Sequence, residues 1–364
     1  MELNKKIHVL IVDDSATVRQ GFSKILNPLS FVSHVTVASD PIFAMEKMEK
    51  EWPDVIILDI EMPRMDGITF LKKIMEEHPT PVIICSSLTE AGTDTAMQAL
   101  AHGAVEIITK PQMEVANFIE DSSDYISQAL QAAYISRPKV QKEVGSAAIA
   151  RVRSEIVKKD RVSHDASYRT TDKIIALGAS TGGTIAIENI LTRLGPDIPG
   201  IVIVQHMPEK FTKAFADRLN GICEIEVKEA EDGDRVISGR ALIAPGNYHM
   251  KLVRTGGHYT VEVKTGPILN HHRPSVDVLF RSVAKSAGAN VLGVILTGMG
   301  DDGSAGMVEM KEAGAYNIAQ DKESSVVWGM PGEAYKRGCV DKLVSLDDMP
   351  LQISSHFKAS LRSG

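Results

Sequence analysis

Two sets of reactive side chains lie along this 364-residue chain, and each falls where short apolar runs end. In the first half Asp13 and Asp14 follow the run 7–12, Asp59 follows 55–58, Ser86 follows 82–85 and Lys110 follows 106–109. Clustered carboxylates repel one another unless a cation neutralises them. A hard divalent ion such as Mg2+ suits oxygen ligands and keeps positions open for water or phosphoryl oxygens. A Ser86 hydroxyl can bond a phosphoryl oxygen, and Lys110 can bring a point charge to the same place. One acid at a strand end does no more than aid solubility. Acids, a hydroxyl and a lysine on four strand ends point to phosphoryl chemistry.

The second set is suited to acyl transfer. An apolar run over 174–177 leads into Gly178-Ala179-Ser180-Thr181-Gly182-Gly183. A dinucleotide loop would need a second glycine where Ser180 stands, because the pyrophosphate must approach the backbone there. Serine instead presents an Oγ at the strand tip, with free N–H groups of the following helix beside it. A serine needs a base. His206 supplies an imidazole at the end of the run 201–205, and the run 291–296 opens into Thr297-Gly298-Met299-Gly300-Asp301-Asp302-Gly303-Ser304. Nucleophile, base and orienting acid then lie on three strand ends, and spacing alone leaves Asp301 and Asp302 both open. His249, His271 and His272 lack a metal-ligand spacing, and Cys223 and Cys339 follow no glycine-rich elbow.

The elements that must position these groups alternate short apolar runs with amphipathic stretches, the pattern of parallel α/β sheets. Ligands gather beside the carboxyl ends of such strands, so both sets should converge. Five βα repeats fill the first half. The second half reads as a doubly wound, mostly parallel α/β sheet, with an antiparallel hairpin over 250–254 and 259–264 about Gly256-Gly257. Between them the pattern dissolves into a basic, polar stretch, read as a flexible linker. The expected division is 1–133, a linker 134–171, and 172–360.

A net charge of -7 and the lack of a helix-turn-helix signature argue against a nucleic-acid-binding output domain. No apolar run nears the roughly 20 residues that span a membrane, and no signal-peptide core is present. Three scattered cysteines make no disulfide framework. A cytoplasmic location without membrane insertion is expected.

Val12-Asp13-Asp14-Ser15, Leu58-Asp59-Ile60-Glu61-Met62-Pro63-Arg64-Met65-Asp66-Gly67, Cys85-Ser86-Ser87 and Thr109-Lys110-Pro111 resemble the response-regulator receiver family over about residues 5–130. The resemblance implies a flavodoxin-like five-stranded fold and phosphorylation of Asp59 by a histidine kinase. It also implies Mg2+ on Asp13, Asp14 and Asp59, and Ser86 and Lys110 as readers of the phosphorylated state. Three residues before Lys110, where receivers often carry an aromatic switch, stands Ile107.

The elbow above, together with Gln205-His206-Met207, Ile243-Ala244-Pro245-Gly246, His272-Arg273-Pro274-Ser275-Val276-Asp277 and Leu296-Thr297-Gly298-Met299-Gly300-Asp301-Asp302-Gly303, resembles the CheB-type methylesterase domain over about residues 173–350. That resemblance implies Ser180 as nucleophile, His206 as base and Asp302 as acid. Thr181 and Met299 would form the oxyanion hole, and the ester chemistry would need no cofactor. The implied reaction is demethylation of glutamyl esters on methylated chemoreceptors, with deamidation of certain receptor glutamines, under control of a chemotaxis histidine kinase. A receiver lying over the strand-end cleft would hold back a bulky helical substrate until phosphorylation.

Overall fold

The structure is a computed structural model that describes residues 5–110, 115–136 and 173–360. The expected linker falls almost wholly outside the described residues.

The first sheet has the strand order β2-β1-β3-β4-β5, all parallel, from β1 (Ile7–Val12), β2 (Val32–Ala38), β3 (Val55–Asp59), β4 (Val82–Ser86) and β5 (Glu106–Thr109). The inner strands are apolar on both faces because helices cover both sides, so they read as continuous runs instead of alternating ones. In β1 and β3 every residue is buried. Burial of each such Ile, Leu or Val stabilises by about 1.5–3 kcal/mol. Around the sheet lie α1 (Ala16–Leu26), α2 (Pro41–Met48), α3 (Gly67–Glu77), α4 (Glu90–Ala101) and α5 (Val115–Ser136). Ser15, Asp40, Asp66 and Thr89 cap the first four by accepting from the N–H groups of their first turns.

The second half carries a seven-stranded parallel sheet of order β15-β14-β13-β6-β7-β10-β8. Its strands are β6 (Ile174–Ala179), β7 (Gly200–Gln205), β8 (Glu226–Glu229), β10 (Arg240–Ile243), β13 (Val291–Ile295), β14 (Tyr316–Gln320) and β15 (Lys342–Val344). The hairpin lies apart from it. β11 (His249–Thr255) and β12 (His258–Lys264) turn at Gly256-Gly257 and add β9 (Arg235–Val236) in a separate antiparallel sheet. The helices are α6 (Gly183–Leu191), α7 (Phe211–Ile222), α8 (Val276–Ala287), α9 (Ser304–Glu312), α10 (Met330–Lys336) and α11 (Met349–Ser360). β8 starts at Glu226, because Arg240 of β10 pairs with it and the neighbour sets the ladder.

The two halves touch. α4 packs against α6 and α7, and a continuous buried cluster includes Met97 and Leu100 on one side and Ile187 and Phe215 on the other.

Candidate active site and phosphoacceptor cluster

Ser180, His206 and Asp302 stand at the ends of three adjacent strands. β6 pairs with β13 on one side and β7 on the other, and its last register pair is Ala179 with Gln205. Ser180 and His206 therefore leave neighbouring strands at the same height, and the His206 N–H donates to the Ala179 carbonyl at 3.1 Å. The chain winds from β6 to β7 in one direction and later returns to β13 on the other side. This is a topological switch point, where α/β sheets open a crevice.

The turn after β6 is built for a tight approach. Gly182 has φ 77°, and a Cβ there would meet Val326 Cγ2 at 2.6 Å, so only glycine fits. Gly298, in the loop after β13, leaves room for the nucleophile candidate itself: a Cβ on it would lie 2.8 Å from Ser180 Cβ. Thr297 locks that loop. Its N–H donates to Gln320 Oε1 at 2.9 Å and its hydroxyl to the Thr181 carbonyl at 3.0 Å. Neither the Thr181 nor the Met299 N–H is engaged by another group among the described residues.

The choice that spacing left open has a geometric answer. His206 Nε2 lies 2.8 Å from Asp302 Oδ2, both side chains being about 1% exposed. Asp301 points outward to Arg337 at 3.2 Å. Asp302 also accepts from the Val276 N–H, Ser275 Oγ, Asn270 Nδ2 and the Asp277 N–H. Burial alone would raise its pKa, but the hydrogen bond and charge of His206 and these donors overcome it and hold the carboxyl well below the usual range. The surroundings thus favour the charged carboxylate, the form that can balance an imidazolium. With Nε2 committed, His206 Nδ1 is buried and has no partner among the described residues.

Several contributors were not singled out from sequence. His272 stacks on His206 with centroids 3.6 Å apart and planes 14° from parallel. Burial, then the neighbouring His206, push its pKa well down, so it stays uncharged beside the His206 ring. Asn270 takes φ 50° to reach both Asp302 and Asp277. The motif around Arg273 contains His272, Ser275 and Asp277, but linear spacing says nothing of what they touch. His249 is tied into the wall, its two nitrogens meeting the Pro267 carbonyl and the Ser275 N–H.

In the first half Asp13, Asp14 and Asp59 bring ligand oxygens within 4.8 Å of one another. Lys110 Nζ stands 2.6 Å from Asp59 and 3.5 Å from Asp13. Burial, then the charge of Asp59, push Asp13 up to about 6, and burial raises Asp59 as well. One ammonium against three carboxylates leaves uncompensated negative charge, so the donor set fits a hard divalent cation. Ser86 turns its hydroxyl to the Gly92 carbonyl at 3.0 Å, on the α4 side. Ile107 is buried in the core, and its carbonyl accepts from the Tyr125 hydroxyl at 3.1 Å.

The two sites are linked. Glu106 of β5 is buried against the second half, where its Oε2 accepts from Thr181 Oγ1 at 2.9 Å, one residue from Ser180. Asp124 pairs with His271 at 3.1 Å, and Lys210 donates to the Leu88 carbonyl at 3.3 Å. Ser180 itself is 7% exposed.

Residues 175–353 match the family described as CheB methylesterase, and residues 9–119 match the response regulator receiver domain. A protein-glutamate methylesterase/protein-glutamine glutaminase of Dechloromonas aromatica is 56% identical, covering 97% of this chain and 99% of its own length. A namesake from Xanthomonas oryzae pv. oryzae is 53% identical over 96% of this chain and 100% of its own. Among solved structures, the Thermotoga maritima CheB methylesterase catalytic domain is 38% identical, with TM-score 0.49, covering 50% of this chain and 97% of that one.

Proposed function

This chain belongs to the CheB methylesterase family, and from that premise we propose that it hydrolyses glutamyl γ-methyl esters on methylated chemoreceptors, with Ser180, His206 and Asp302 as its triad. The observation that carries the reading is the buried His206–Asp302 pair on the strand ends flanking Ser180. Ser180 Oγ attacks the γ-carbonyl while His206 Nδ1 takes its proton, and Asp302 stabilises the imidazolium. The Thr181 and Met299 N–H groups face the developing oxyanion. The bond to methoxide breaks, and His206 returns the proton so that methanol leaves. Water then attacks the acyl-enzyme, giving up its proton to His206, which returns it to Ser180 Oγ as the acyl bond breaks and the glutamate is released. The same cycle on a glutamine releases ammonia instead, consistent with the double name of the relatives. No cofactor takes part in the ester chemistry.

The receiver half accepts a phosphoryl group on Asp59 from a chemotaxis histidine kinase. Mg2+, held by Asp13, Asp14 and Asp59, neutralises charge on the phosphoryl oxygens when bound. Ser86 and Lys110 then move toward the new anion, pulling on β4 and β5 and so on the Glu106–Thr181 contact. The reading goes with a receiver at 1–133, a connector at 134–171 and an esterase at 172–360, working in the cytoplasm. Among the described residues no helix is long and apolar enough to cross a membrane. Incubating the purified chain with methylated receptor membranes should release methanol, and with glutamine-bearing receptors ammonia. Release of neither overturns the reading.

Asp59→Asn removes the acceptor oxygen and keeps the shape. The variant should retain a basal rate but lose stimulation by a small phosphodonor with Mg2+. Normal stimulation of this variant would reassign the acceptor.

Glu106 makes the restraint depend on pH. Burial pushes it up to about 7 from 4.5. A carboxyl raised in the docked state favours docking fully below its ordinary pKa and loses that contribution as pH rises through about 7. The ratio of phosphorylated to unphosphorylated activity should therefore fall several-fold from about pH 6 to about pH 8, the ratio cancelling titration within the triad. Glu106→Gln keeps an acceptor for Thr181 and should flatten that slope; an unchanged slope in the variant rules Glu106 out.

A further inference from the structure

We propose that His8, His34 and Glu51 form a second cation site on the receiver half, fitted to a borderline divalent transition-metal ion, with Zn2+ the natural probe. His8 and His34 are register partners across the parallel β1–β2 pair, so their side chains leave the same face of the sheet. Their rings lie 4.0 Å apart and 15° from parallel. Glu51, shortly after α2, brings its carboxylate to 4.0 Å from His8 Nδ1 and 3.3 Å from His34 Nε2. All three donor atoms fall within 4.8 Å of one another.

The outer nitrogens are held as those of metal-binding histidines are. His8 Nε2 meets Thr36 Oγ1 at 2.8 Å, and His34 Nδ1 meets Ser33 Oγ at 3.2 Å. Where the hydroxyl accepts from the far nitrogen, the near one is left free to ligate. His8 is the decisive residue: its side chain is 7% exposed, and Nδ1 is buried with no hydrogen-bond partner among the described residues. Burial, then the neighbouring His34, push the His8 pKa down against the opposing pull of Glu51 and the Trp52 backbone, which favours the neutral ring that a metal ligand needs. A surface ion pair explains Glu51 and His34, both largely exposed, but it does not explain a buried imidazole nitrogen left without a partner.

Tetrahedral Zn2+ with bonds of about 2.0–2.2 Å needs donors closer together than here. Because His34 and Glu51 are exposed, they can turn to close the gap around the fixed His8. Two imidazoles and one carboxylate suit Zn2+ or Ni2+ and disfavour Mg2+. The site sits near the start of β1, while Asp13 follows its end, so the two cations would not compete.

Zn2+ titrated calorimetrically into the full chain at saturating Mg2+ provides the test. The intact chain should take up one equivalent more than the His34→Ala/Glu51→Gln double variant, and Glu51→Gln alone should bind at least about tenfold more weakly. Asp59→Asn should bind as the parent does. The same stoichiometry and affinity in the double variant, or no saturable uptake by the parent, overturns the site. Imidazole NMR resonances give an independent reading: those of His8 and His34 should shift with the first equivalent, and unmoved resonances would place the ion elsewhere.

Discussion

Replacing Ser180 with alanine should cut methanol release from methylated receptors by about 10^4-fold or more, with the fold unchanged. The side chain sits at a strand tip whose geometry comes from the backbone: the Ser180 N–H donates to the Thr297 carbonyl and the Ser180 carbonyl accepts from Gln205 Nε2. Alanine keeps both bonds and deletes only Oγ. His206–Asp302 and the unengaged N–H groups survive, so a residual rate above that of water is expected from binding and oxyanion stabilisation. Near-parental release from the folded variant would exclude a serine mechanism.

Asp302→Asn should cost about 10^4 in turnover, and Asp301→Asn close to nothing. An amide cannot carry the charge that balances imidazolium, and its NH2 group would face some of the five donors that now converge on the carboxylate. His206 would be driven to the other tautomer, placing a proton on the Nδ1 that must accept one from Ser180. All of those donors but Asn270 are buried, so the variant should also lose stability, by about 1–3 kcal/mol for each buried one left unsatisfied. Turnover and melting temperature measured together separate the two effects. If Asp301→Asn proves the more damaging, the acid is misassigned.

Strand ends were legible because period and chemistry coincide: a run such as 174–177 leads through Gly178-Ala179 into Ser180, and parallel topology then forces convergence with His206 and the loop after β13. Spacing could not separate Asp301 from Asp302, since neighbours in a glycine-rich loop differ only in the direction the backbone gives them; only the family resemblance pointed to Asp302. The sequence also could not show His272 stacked on His206, or Asn270 reaching Asp302 through a left-handed backbone, because both depend on a loop distant in sequence from the triad. β9 and β15 were missed because they are short and carry Arg235 and Lys342 to solvent. Glu106 reads as a polar residue starting a strand; its meaning lies in Thr181, which belongs to the other half of the chain.

That contact makes the central claim one of coupling: a serine hydrolase held back by the receiver and released through Asp59. The direct measurement is the initial rate of methanol release from one batch of methylated receptor membranes, by the full chain, with and without a small phosphodonor and Mg2+. The rate should rise severalfold with the phosphodonor, and Ser180→Ala should cut release by about 10^4-fold or more in both conditions. A rate indifferent to the phosphodonor, in a chain whose Asp59 is shown by mass to be phosphorylated, would contradict the account.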